Sequence, residues 1–524
     1  MKLIILFYII LLFLSNISSF KILIFYPDFG YSHLVFNGMI GNVLSNAGHN
    51  VTIIKINLKQ NLSMVVNEPI KLIDMSVDEN ILKKAKGSKM LESIWEKKNY
   101  FIESLLEFYD LVELMYQLCE FMLDNNELTS MIRNEKYDIM ISEYINVFAI
   151  LLGKHYNIDK FLYTSSLTNN ELIYDVYGLY YPSSYVPTMF LNVNDKMTTF
   201  ERWLNFLFFY SEKFIFTNIL LPKFEKLYEK KSNKYVSIIN LAKKSGGILI
   251  NTYPFIDKPT PINLKTYFVG GICLGEVKKV PKKWDDILNR RKYNILVSFG
   301  TVVNVTNAPF EVKNSIIRTF ESLNDITFIW KYEGNLSTLP KNIPENIVIV
   351  RWMPQFDLLN DSRIKIFITH CGMNSIIEAS YTGKPILCIP FFGDQMRNSG
   401  LVYRLGFSEF FDKIKLSNEK EFRDKIIKMI KNNVYQDKAN RINKLVKYLP
   451  YSPKDIVIKV TEYICHNGNI NELNLEGGSL TTIEFFNLDI ILILCIILIT
   501  KVVITLKISK FILNYFFQKK VKVQ

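Results

Sequence analysis

Short apolar runs rich in β-branched residues alternate with helical patterns along two separate parts of the chain. In the first part, the run Ile22–Tyr26 is followed by a helical pattern over residues 35–46 and by a second run at Val51–Ile54. A strand, a helix and a strand within about 35 residues form a βαβ unit, and repeated units predict a parallel, doubly wound sheet. The same order starts again at Ile295–Phe299, so the sequence predicts two α/β domains.

Other runs of the same kind predict the remaining strands. They lie at Ile139–Ser142, Lys160–Thr164 and Gly247–Asn251 in the first domain and at Ile326–Tyr332, Ile347–Val350 and Ile364–Thr369 in the second. We place the first domain at residues 20–275 and the second at residues 293–484. The polar, basic segment 276–292, which contains Pro281, is predicted to be the linker between them.

The composition excludes several other classes of protein. The chain has 524 residues, of which 49% are hydrophobic and 22% charged, so it is not a long disordered or collagen-like chain. Its six cysteines include no C-x-x-C pair, which argues against a zinc ribbon and leaves one or two disulfides open. The net charge of +13 comes from scattered lysines and arginines, so we interpret it as a solvated basic surface and expect no nucleic-acid partner.

Residues 1–19 are predicted to be a secretory signal peptide. Lys2 precedes an apolar run over residues 3–14, and small polar residues follow from Ser15. The alternative, an N-terminal membrane anchor, is weaker because the run is too short to span a bilayer. The triplets that permit N-glycosylation in a secretory compartment begin at Asn50, Asn61, Asn304, Asn335 and Asn360.

A second apolar stretch near the C-terminus is predicted to be a single transmembrane helix. As a helix, Leu488–Leu506 would be about 28 Å long, which suffices for the hydrocarbon core of a bilayer. We place the transmembrane helix at residues 485–506. Because a positive flank favours the cytosolic side, residues 507–524 are predicted to be a basic cytosolic tail, with the folded domains on the lumenal side as in a single-pass type I protein.

Lys520 and Lys522 stand five and three residues from the end of the sequence. They resemble the dilysine retrieval signal of endoplasmic reticulum membrane proteins. The alternative is a basic juxtamembrane tail with no signal. We expect the endoplasmic reticulum membrane as the location.

The segment Phe200–Leu221 is unusually aromatic. A helix of this composition is more often part of a core, and we interpret it so; an apolar ligand site or a membrane contact is the alternative. The aromatic residues are Phe200, Trp203, Phe206, Phe208, Phe209, Tyr210, Phe214 and Phe216.

An apolar strand, a glycine turn and a helix start follow one another between Phe367 and Ser375. The free N–H groups and the dipole at such a helix start bind anions, which predicts a phosphate or diphosphate site. Glu378 lies on the same helix, where a carboxylate is able to accept hydrogen bonds from ribose hydroxyls. The candidate residues of the turn itself are His370, Gly372, Asn374 and Ser375.

Two further pairs flank this turn. Asp394 and Gln395 follow the strand at residues 385–390, where a carboxylate and an amide suit bonds to neighbouring sugar hydroxyls. Upstream, the indole of Trp352 suits stacking on a base, and the amide of Gln355 suits a hydrogen bond to its edge. Each piece alone has a structural explanation; together and in this order they predict a site for a nucleotide sugar.

The segment from Phe367 to Gln395 resembles the signature of the UDP-glycosyltransferases, the superfamily that includes the glucuronosyltransferases of animal endoplasmic reticulum. The resemblance extends to Ser298, Gly300 and Thr301, which look like the family's loop facing the diphosphate and sugar, and to Trp352 and Gln355, which match its uracil-binding pair. With both end segments it covers essentially the whole chain. It implies the GT-B fold, two facing Rossmann-like domains, in which the N-terminal half binds the acceptor and the C-terminal half binds the UDP-sugar.

The resemblance also implies that the catalytic base comes from the N-terminal half. His33 follows the first predicted strand and matches the family's catalytic histidine, while His49 reads as structural. An imidazole suits removal of a hydroxyl proton near neutral pH, and a carboxylate is needed to orient it. The family has aspartate after the strand at Ile139–Ser142, where this chain has Glu143, so we predict a His33–Glu143 pair; a plain loop acid is the alternative.

Several residues bear on the sugar and on cofactors. Cys371 stands where animal members more often have glycine, and Arg397 either meets a glucuronate carboxylate or is a solvated helix residue. The chain has no D-x-D triplet, so we expect no metal, and the UDP-sugar is a co-substrate rather than a cofactor.

The sequence therefore predicts an inverting, metal-independent transferase of a hexosyl group to a hydroxyl of a small lipophilic acceptor. Glucuronosyl is the first expectation for the sugar and glucosyl the second. The alternatives are a binding protein without catalysis and a lipid-specific transferase that makes a membrane glycolipid. The sequence leaves a homo-oligomer open.

Overall fold

The computed structural model describes residues 19–521 apart from 59–63, 65, 87–93, 96–99, 169–170, 189–190, 192, 194, 302 and 304. The predicted signal peptide, apart from its last residue, lies outside these residues. Lys522 and the predicted glycosylation sites Asn61 and Asn304 also lie outside them.

Two parallel sheets form the centres of two α/β domains, as predicted. The first has seven strands in the order β3-β2-β1-β4-β5-β6-β7, and the second has six in the order β10-β9-β8-β11-β12-β13. The strands of the first sheet are β1 Lys21–Pro27, β2 Asn50–Asn57, β3 Lys71–Ser76, β4 Ile139–Glu143, β5 Phe161–Ser165, β6 Ile248–Ile250 and β7 Thr266–Phe268. Those of the second are β8 Tyr293–Ser298, β9 Ile326–Lys331, β10 Ile347–Val350, β11 Ile364–Thr369, β12 Ile386–Cys388 and β13 Ser408–Phe410.

Helices cover both faces of each sheet, which is why the central strands read as continuous apolar runs. Those encoded before β8 are α1 Tyr31–Asn46, α2 Glu79–Lys86, α3 Tyr100–Asp124, α4 Asn126–Glu135, α5 Ala149–His155, α6 Glu171–Val176, α7 Thr199–Ile215, α8 Leu221–Ser232, α9 Ile238–Lys243 and α10 Lys282–Leu288, with a π-helical turn at Phe216–Leu220. Those after it are α11 Phe310–Glu321, α12 Gln355–Asn360, α13 Met373–Thr382, α14 Asp394–Arg404, α15 Glu419–Lys431, α16 Val434–Lys447, α17 Pro453–Asn467, α18 Thr482–Phe485 and α19 Leu488–Val521. Short 3₁₀ turns lie at Val305–Asn307, Leu336–Thr338, Lys413–Ser417, Asn471–Leu473 and Glu476–Gly478.

In each sheet the strand order reverses beside the first strand of the domain. The reversal lies between β1 and β4 in the first sheet and between β8 and β11 in the second. Chain segments leave the two sides of such a point in opposite directions, so a crevice opens at the carboxyl ends of the strands, where ligands bind in folds of this kind.

The segment predicted as a linker, residues 276–292, differs from that prediction because it contains helix α10. Trp284, Ile287 and Leu288 on this helix are buried with Leu296 and Ile364 in the core of the second domain. An apolar stripe of this kind needs a partner surface, so the second domain begins before residue 293.

Helix α17, which the sequence analysis places in the second domain, packs on the first domain. Val457 and Ile464 of α17 are buried against Ile22 and Ile24 of β1. The predicted boundaries, 293–484, place α17 in the wrong domain, because the amphipathic pattern of a helix does not say which sheet it covers.

Helix α19 is longer than the predicted transmembrane segment 485–506. Within the part of the chain that the structure describes, it is the one helix long and apolar enough to cross a membrane, and its apolar part, Leu488–Phe517, extends well into the predicted tail. Its 30 residues measure about 45 Å, more than the hydrocarbon core of about 30 Å requires. None of this apolar part is buried against the rest of the protein.

Candidate active site

His33 and Glu143 come from the two strands that flank the reversal point of the first sheet. His33 lies in the first turn of α1, just after β1, and Glu143 is the last residue of β4. The Nδ1 atom of His33 lies 2.7 Å from Oε2 of Glu143. The other carboxylate oxygen, Oε1, accepts hydrogen bonds from the backbone N–H of Ser166 at 2.9 Å and from its hydroxyl. Glu143 is therefore held at both oxygens and orients the imidazole.

The charge of Glu143 sets the protonation of His33. Burial lowers the pKa of His33, but the charge of Glu143 and the hydrogen bond to it raise it, and the net pKa lies above the ordinary value of 6.5. The carboxylate of Asp394, which belongs to the second domain, raises this pKa further. The imidazolium that forms when His33 accepts a proton is therefore stabilised from both domains.

His370 lies between two glycine turns of the second domain. A Cβ atom on Gly300 would stand 2.6 Å from Cε1 of His370, and one on Gly372 would stand 2.5 Å from Nε2, so neither position has room for a side chain. Burial and the charge of Lys331 lower the pKa of His370 to about 4. The ring is therefore neutral at pH 7 and suits a hydrogen bond to an anion better than proton abstraction.

Helix α13 begins directly after this turn. Gly372 is its N-cap residue, and no side chain caps the helix there, which leaves N–H groups for an anion. Asn374 in its first turn accepts a hydrogen bond of 2.9 Å from Nδ2 of Asn251, which follows β6 of the first domain. This contact joins the carboxyl edges of the two sheets, so the anion site and the His33–Glu143 pair open onto one cleft.

The positions predicted for the base and ribose lie at the start of α12 and on α13. Trp352 is 72% exposed, so one face of its indole is open to stacking. Gln355 was predicted to meet the edge of the base, but its Nε2 atom donates to Oε2 of Glu378 at 2.6 Å. Burial raises the pKa of Glu378 to about 7. The amide of Gln355 thus orients the Glu378 carboxylate, which the sequence predicts to bind the ribose hydroxyls.

Asp394 and Gln395 differ in what they are able to offer a sugar. Oε1 of Gln395 accepts from the backbone N–H groups of Phe391 at 2.8 Å and Phe392 at 3.4 Å, so it holds its own turn. Asp394 accepts from Nδ2 of Asn398 at 2.6 Å, and burial raises its pKa. Asp394, whose carboxylate interacts with His33, is therefore the member of the pair that is better placed to contact a sugar.

The loop after β8 contains the remaining predicted donor-site residues. Ser298 is buried at the end of the strand, and its hydroxyl accepts from the N–H of Gly300 at 3.4 Å. Thr301 is exposed, and Ser375 is buried in the first turn of α13. Gly300 has a φ of 81°, a conformation that glycine adopts without strain.

Cys371 stands in a left-handed conformation, with a φ of 61°, and forms a disulfide with Cys388 of β12. Glycine suits this conformation best, which gives a physical reason for the glycine that the resemblance implies at this position. The pairing had been left open by the sequence. The disulfide ties the turn before α13 to the neighbouring strand.

Arg397 is buried, so the prediction of a solvated helix residue is wrong, while contact with a glucuronate carboxylate stays a prediction. The side chain is buried, and it lies 3.4 Å from Glu171 and 3.6 Å from Asp257, both in the first domain. Two carboxylates already use its charge. Arg397 therefore joins the domains beside the cleft.

Sequence reasoning missed three residues of the site: Ser166, Asn251 and Lys331. Lys331 ends β9, and its Nζ atom donates to the carbonyl of Gly300 at 3.1 Å and lies 2.6 Å from Glu333. Each of the three stands at or just after the carboxyl end of a strand, and that position was the available signal. Among the described residues, no three His, Cys, Asp or Glu side chains form a group that could hold a metal ion.

Two facing parallel α/β domains, with the His33–Glu143 pair on one side of the cleft and an uncapped helix start on the other, define a glycosyltransferase of the GT-B class. Solved structures agree on the fold. Spinosyn forosaminyltransferase SpnP is 14% identical with a TM-score of 0.57, covering 85% of this chain and 100% of that one. The glycosyltransferase SnogD from Streptomyces nogalater is 14% identical with a TM-score of 0.55, covering 85% and 99%.

The chain belongs to the UDP-glycosyltransferase family. The family model described as UDP-glucoronosyl and UDP-glucosyl transferase matches residues 21–523. "Putative UDP-glucuronosyltransferase ugt-48" of Caenorhabditis elegans is 28% identical over 495 residues, 91% of each chain. UDP-glucuronosyltransferase 2B15 of Homo sapiens is 26% identical over 509 residues, 95% of this chain and 94% of that one. The predicted resemblance is confirmed.

Proposed function

We propose that the protein transfers a hexosyl group from a UDP-sugar to a hydroxyl of a small lipophilic acceptor, with inversion at the anomeric carbon. The observation that carries this proposal is the His33–Glu143 hydrogen bond of 2.7 Å at the cleft that also contains the start of α13. It supplies a base for the acceptor on one side and an anion site for the leaving group on the other.

In this mechanism Nδ1 of His33 stays with Glu143, so Nε2 takes the proton of the acceptor hydroxyl. The acceptor oxygen forms its bond to the anomeric carbon as the bond from that carbon to the diphosphate oxygen breaks. UDP leaves with the electron pair of the broken bond. The N–H groups at the start of α13 and the neutral ring of His370 stabilise the charge that develops on the diphosphate. Every step uses groups of the protein, so we propose no metal and no resident cofactor.

Glucuronosyl is our first proposal for the sugar and glucosyl the second. The relatives named glucuronosyltransferases support the first, and the description of the family model covers both. Arg397, the cation that the sequence offers to a glucuronate carboxylate, lies buried beside two carboxylates of the protein, which favours neither donor. UDP-glucuronate and UDP-glucose should therefore be compared directly as donors.

An apolar cavity in the first domain supports a lipophilic acceptor. It has a volume of about 50 Å³, and Tyr144, the residue after Glu143, lines it. Strands β5 and β6 form one wall, and α6, the π-helical turn and α9 contribute others, with Ile173, Phe216 and Ile239 among them. A cavity of this size holds only a small apolar group, since sites for whole drug-sized ligands are about 300–1,000 Å³, so it supports apolar contact with part of an acceptor and not with its whole body.

We also propose that α19 anchors the protein in the endoplasmic reticulum membrane with both domains on the lumenal side. The length and composition of α19 support the anchor, and Lys520 with Lys522 supports the compartment. The three glycosylation asparagines that the structure describes, Asn50, Asn335 and Asn360, are exposed, as attachment of a glycan requires.

The test is UDP release by the full-length protein in membranes, with several UDP-sugars and a panel of phenols and steroids. We expect release with at least one pair, no loss in a metal chelator, and a product of inverted anomeric configuration. Release that needs a divalent metal would overturn the metal-independent mechanism. UDP binding without turnover on any acceptor would favour a binding protein, and turnover confined to membrane lipids would favour a glycolipid transferase.

A further inference from the structure

Helix α7 exposes an apolar stripe to the outside of the protein. At about 100° per residue, Phe200, Trp203, Leu207 and Phe214 fall within about 60° of one another around the helix axis. Their exposures are 66%, 56%, 41% and 59%. We call these four residues the α7 stripe. The prediction that this aromatic segment is core is wrong for the stripe.

The opposite face of α7 is fixed to the protein. Nδ2 of Asn205 donates to the carbonyls of Ser183 at 2.7 Å and Val186 at 2.8 Å, and its Oδ1 accepts from the N–H of Thr188 at 2.8 Å. Asn205 itself is fully buried. The helix is therefore unable to roll about its axis and hide the stripe.

The charged residues of α7 also avoid the stripe. Around the helix axis, Glu201 and Glu212 lie on one flank of the buried face, and Arg202 and Lys213 lie on the other. A helix that faces water has its charges on the outward side, whereas α7 has aromatic and aliphatic residues there. An apolar outward face on a helix whose inner side is held by Asn205 and Phe209 is the arrangement of a helix that lies against a nonpolar surface.

The same part of the first domain contacts the segment that leads into α19. The rings of Tyr180 and Phe486 meet edge to face with their centroids 5.0 Å apart, and Gly178 lies against Gly478. Leu488, two residues after Phe486, begins α19. Tyr180 stands three residues before Ser183, to which Asn205 is bonded, so the start of α19 and the stripe belong to one packed unit.

We infer that the α7 stripe rests in the interface of the bilayer that α19 crosses. The inference depends on the membrane anchor proposed above. A bilayer is favoured over a second copy of the chain because the stripe is continuous with the unit that holds the start of α19. Tryptophan and phenylalanine are also the side chains that amphipathic helices place at the boundary of headgroups and acyl chains.

The stripe is followed by a segment that contacts the apolar cavity of the first domain. Phe216, which begins the π-helical turn after α7, lines the apolar cavity, and Ile219 in the same turn is exposed. One turn of the chain thus has one side toward the cavity and another toward the proposed bilayer. The stripe would therefore place this side of the first domain at the membrane surface, where lipophilic acceptors concentrate.

The test measures tryptophan fluorescence of the full-length protein in vesicles whose lipids carry bromine on the acyl chains. Trp95, Trp284 and Trp330 are buried, while Trp203 and Trp352 are exposed. We expect brominated lipids to quench the wild-type protein, Trp203→Phe to remove most of that quenching, and Trp352→Phe to leave it in place. Equal quenching of wild type and Trp203→Phe would overturn the inference.

Two controls separate this inference from the proposed anchor. Extraction with alkaline carbonate tests the anchor alone, because it leaves a protein that spans the bilayer in the membrane fraction. If the protein stays in the membrane but Trp203 is not quenched, the interfacial position of the stripe is contradicted and the membrane anchor is supported. Cross-linking between Trp203→Cys side chains of two copies, together with no quenching, would assign the stripe to a dimer instead.

Discussion

Nδ1 of His33 and Oε2 of Glu143 are 2.7 Å apart, while Oε1 of the same carboxylate is held by Ser166. A glutamate is one methylene longer than the aspartate that the family resemblance implies. The two side chains meet because β1 and β4 are hydrogen-bonded neighbours, with Glu143 at the carboxyl end of β4 and His33 in the first turn of the helix that follows β1. The carboxylate occupies Nδ1 of His33, so the proposed mechanism assigns Nε2 to the acceptor.

Replacing His33 with alanine should remove the base and leave the donor site intact. We expect turnover to fall about 10²–10⁴-fold, the usual contribution of general base catalysis, with UDP affinity near the wild-type value. The matched control is His49→Gln, because His49 is buried beside Glu462 at 3.3 Å and has no step in the mechanism. Steady-state kinetics and calorimetry with UDP measure the two effects. Wild-type turnover in His33→Ala would remove His33 from the chemistry.

Glu143→Gln should change the pH profile as well as the rate. Only neutral His33 accepts a proton, so kcat/KM should rise with pH through the pKa of His33 and then level off. Burial lowers this pKa and Glu143 raises it, so loss of the carboxylate should move the acidic limb to lower pH. The plateau should fall, by about 10²-fold or more, because the imidazolium loses its partner.

The control for this variant is Glu143→Asp, which keeps the charge and shortens the side chain. It should keep the acidic limb closer to the wild-type position than Glu143→Gln does. If the limb stays at the same pH in Glu143→Gln, another group sets the pH dependence.

Trp352→Ala and Glu378→Ala should each weaken UDP binding. Loss of the stacking face should cost about 1–3 kcal/mol, which is about 5–150-fold in affinity. Loss of Glu378 removes the proposed ribose acceptor and leaves Gln355 without its partner. Tyr448→Ala, an exposed aromatic residue at the end of α16, is the control and should bind UDP like wild type. Calorimetry that finds normal affinity in both cleft variants would contradict the donor site.

The contact between His33 and Glu143 was predictable from sequence, whereas the contacts between the domains were not. His33 and Glu143 follow two apolar runs, and neighbouring parallel strands bring such positions together at one edge. Arg397 meets Glu171, 226 residues away in the chain, and no local pattern encodes that distance. The helical periodicity of α7 groups its residues into faces.

Periodicity alone does not say which face packs on the protein, because that depends on the surface that the helix meets.

Lys520→Ser with Lys522→Ser should let the protein leave the endoplasmic reticulum. Retrieval signals of the dilysine type are read by their distance from the C-terminus, so loss of both lysines should give N-glycans with Golgi-type processing. Helix α19 should still hold the protein in the membrane, because its apolar part is longer than a bilayer requires.

The matched control adds five residues after Gln524 and keeps every lysine. It moves the signal from its position and should release the protein equally well. If both variants keep unprocessed glycans, retention depends on another part of the chain.

Arg397→Met should lower activity with UDP-glucuronate and UDP-glucose alike. Removal of the guanidinium takes away a cation that lies 3.4 Å from Glu171 and 3.6 Å from Asp257, and breaking a buried ion pair should cost about 3–5 kcal/mol of stability. Because Arg397 joins the two domains, both donors should lose the same fraction of kcat/KM, and the ratio between them should stay within about twofold, well under 1 kcal/mol. Lys331→Met is the comparison variant, because Nζ of Lys331 donates to the carbonyl of Gly300 in the predicted donor loop. A loss confined to UDP-glucuronate in Arg397→Met would show instead that its charge recognises the sugar carboxylate and that the ion pairs open when the donor binds.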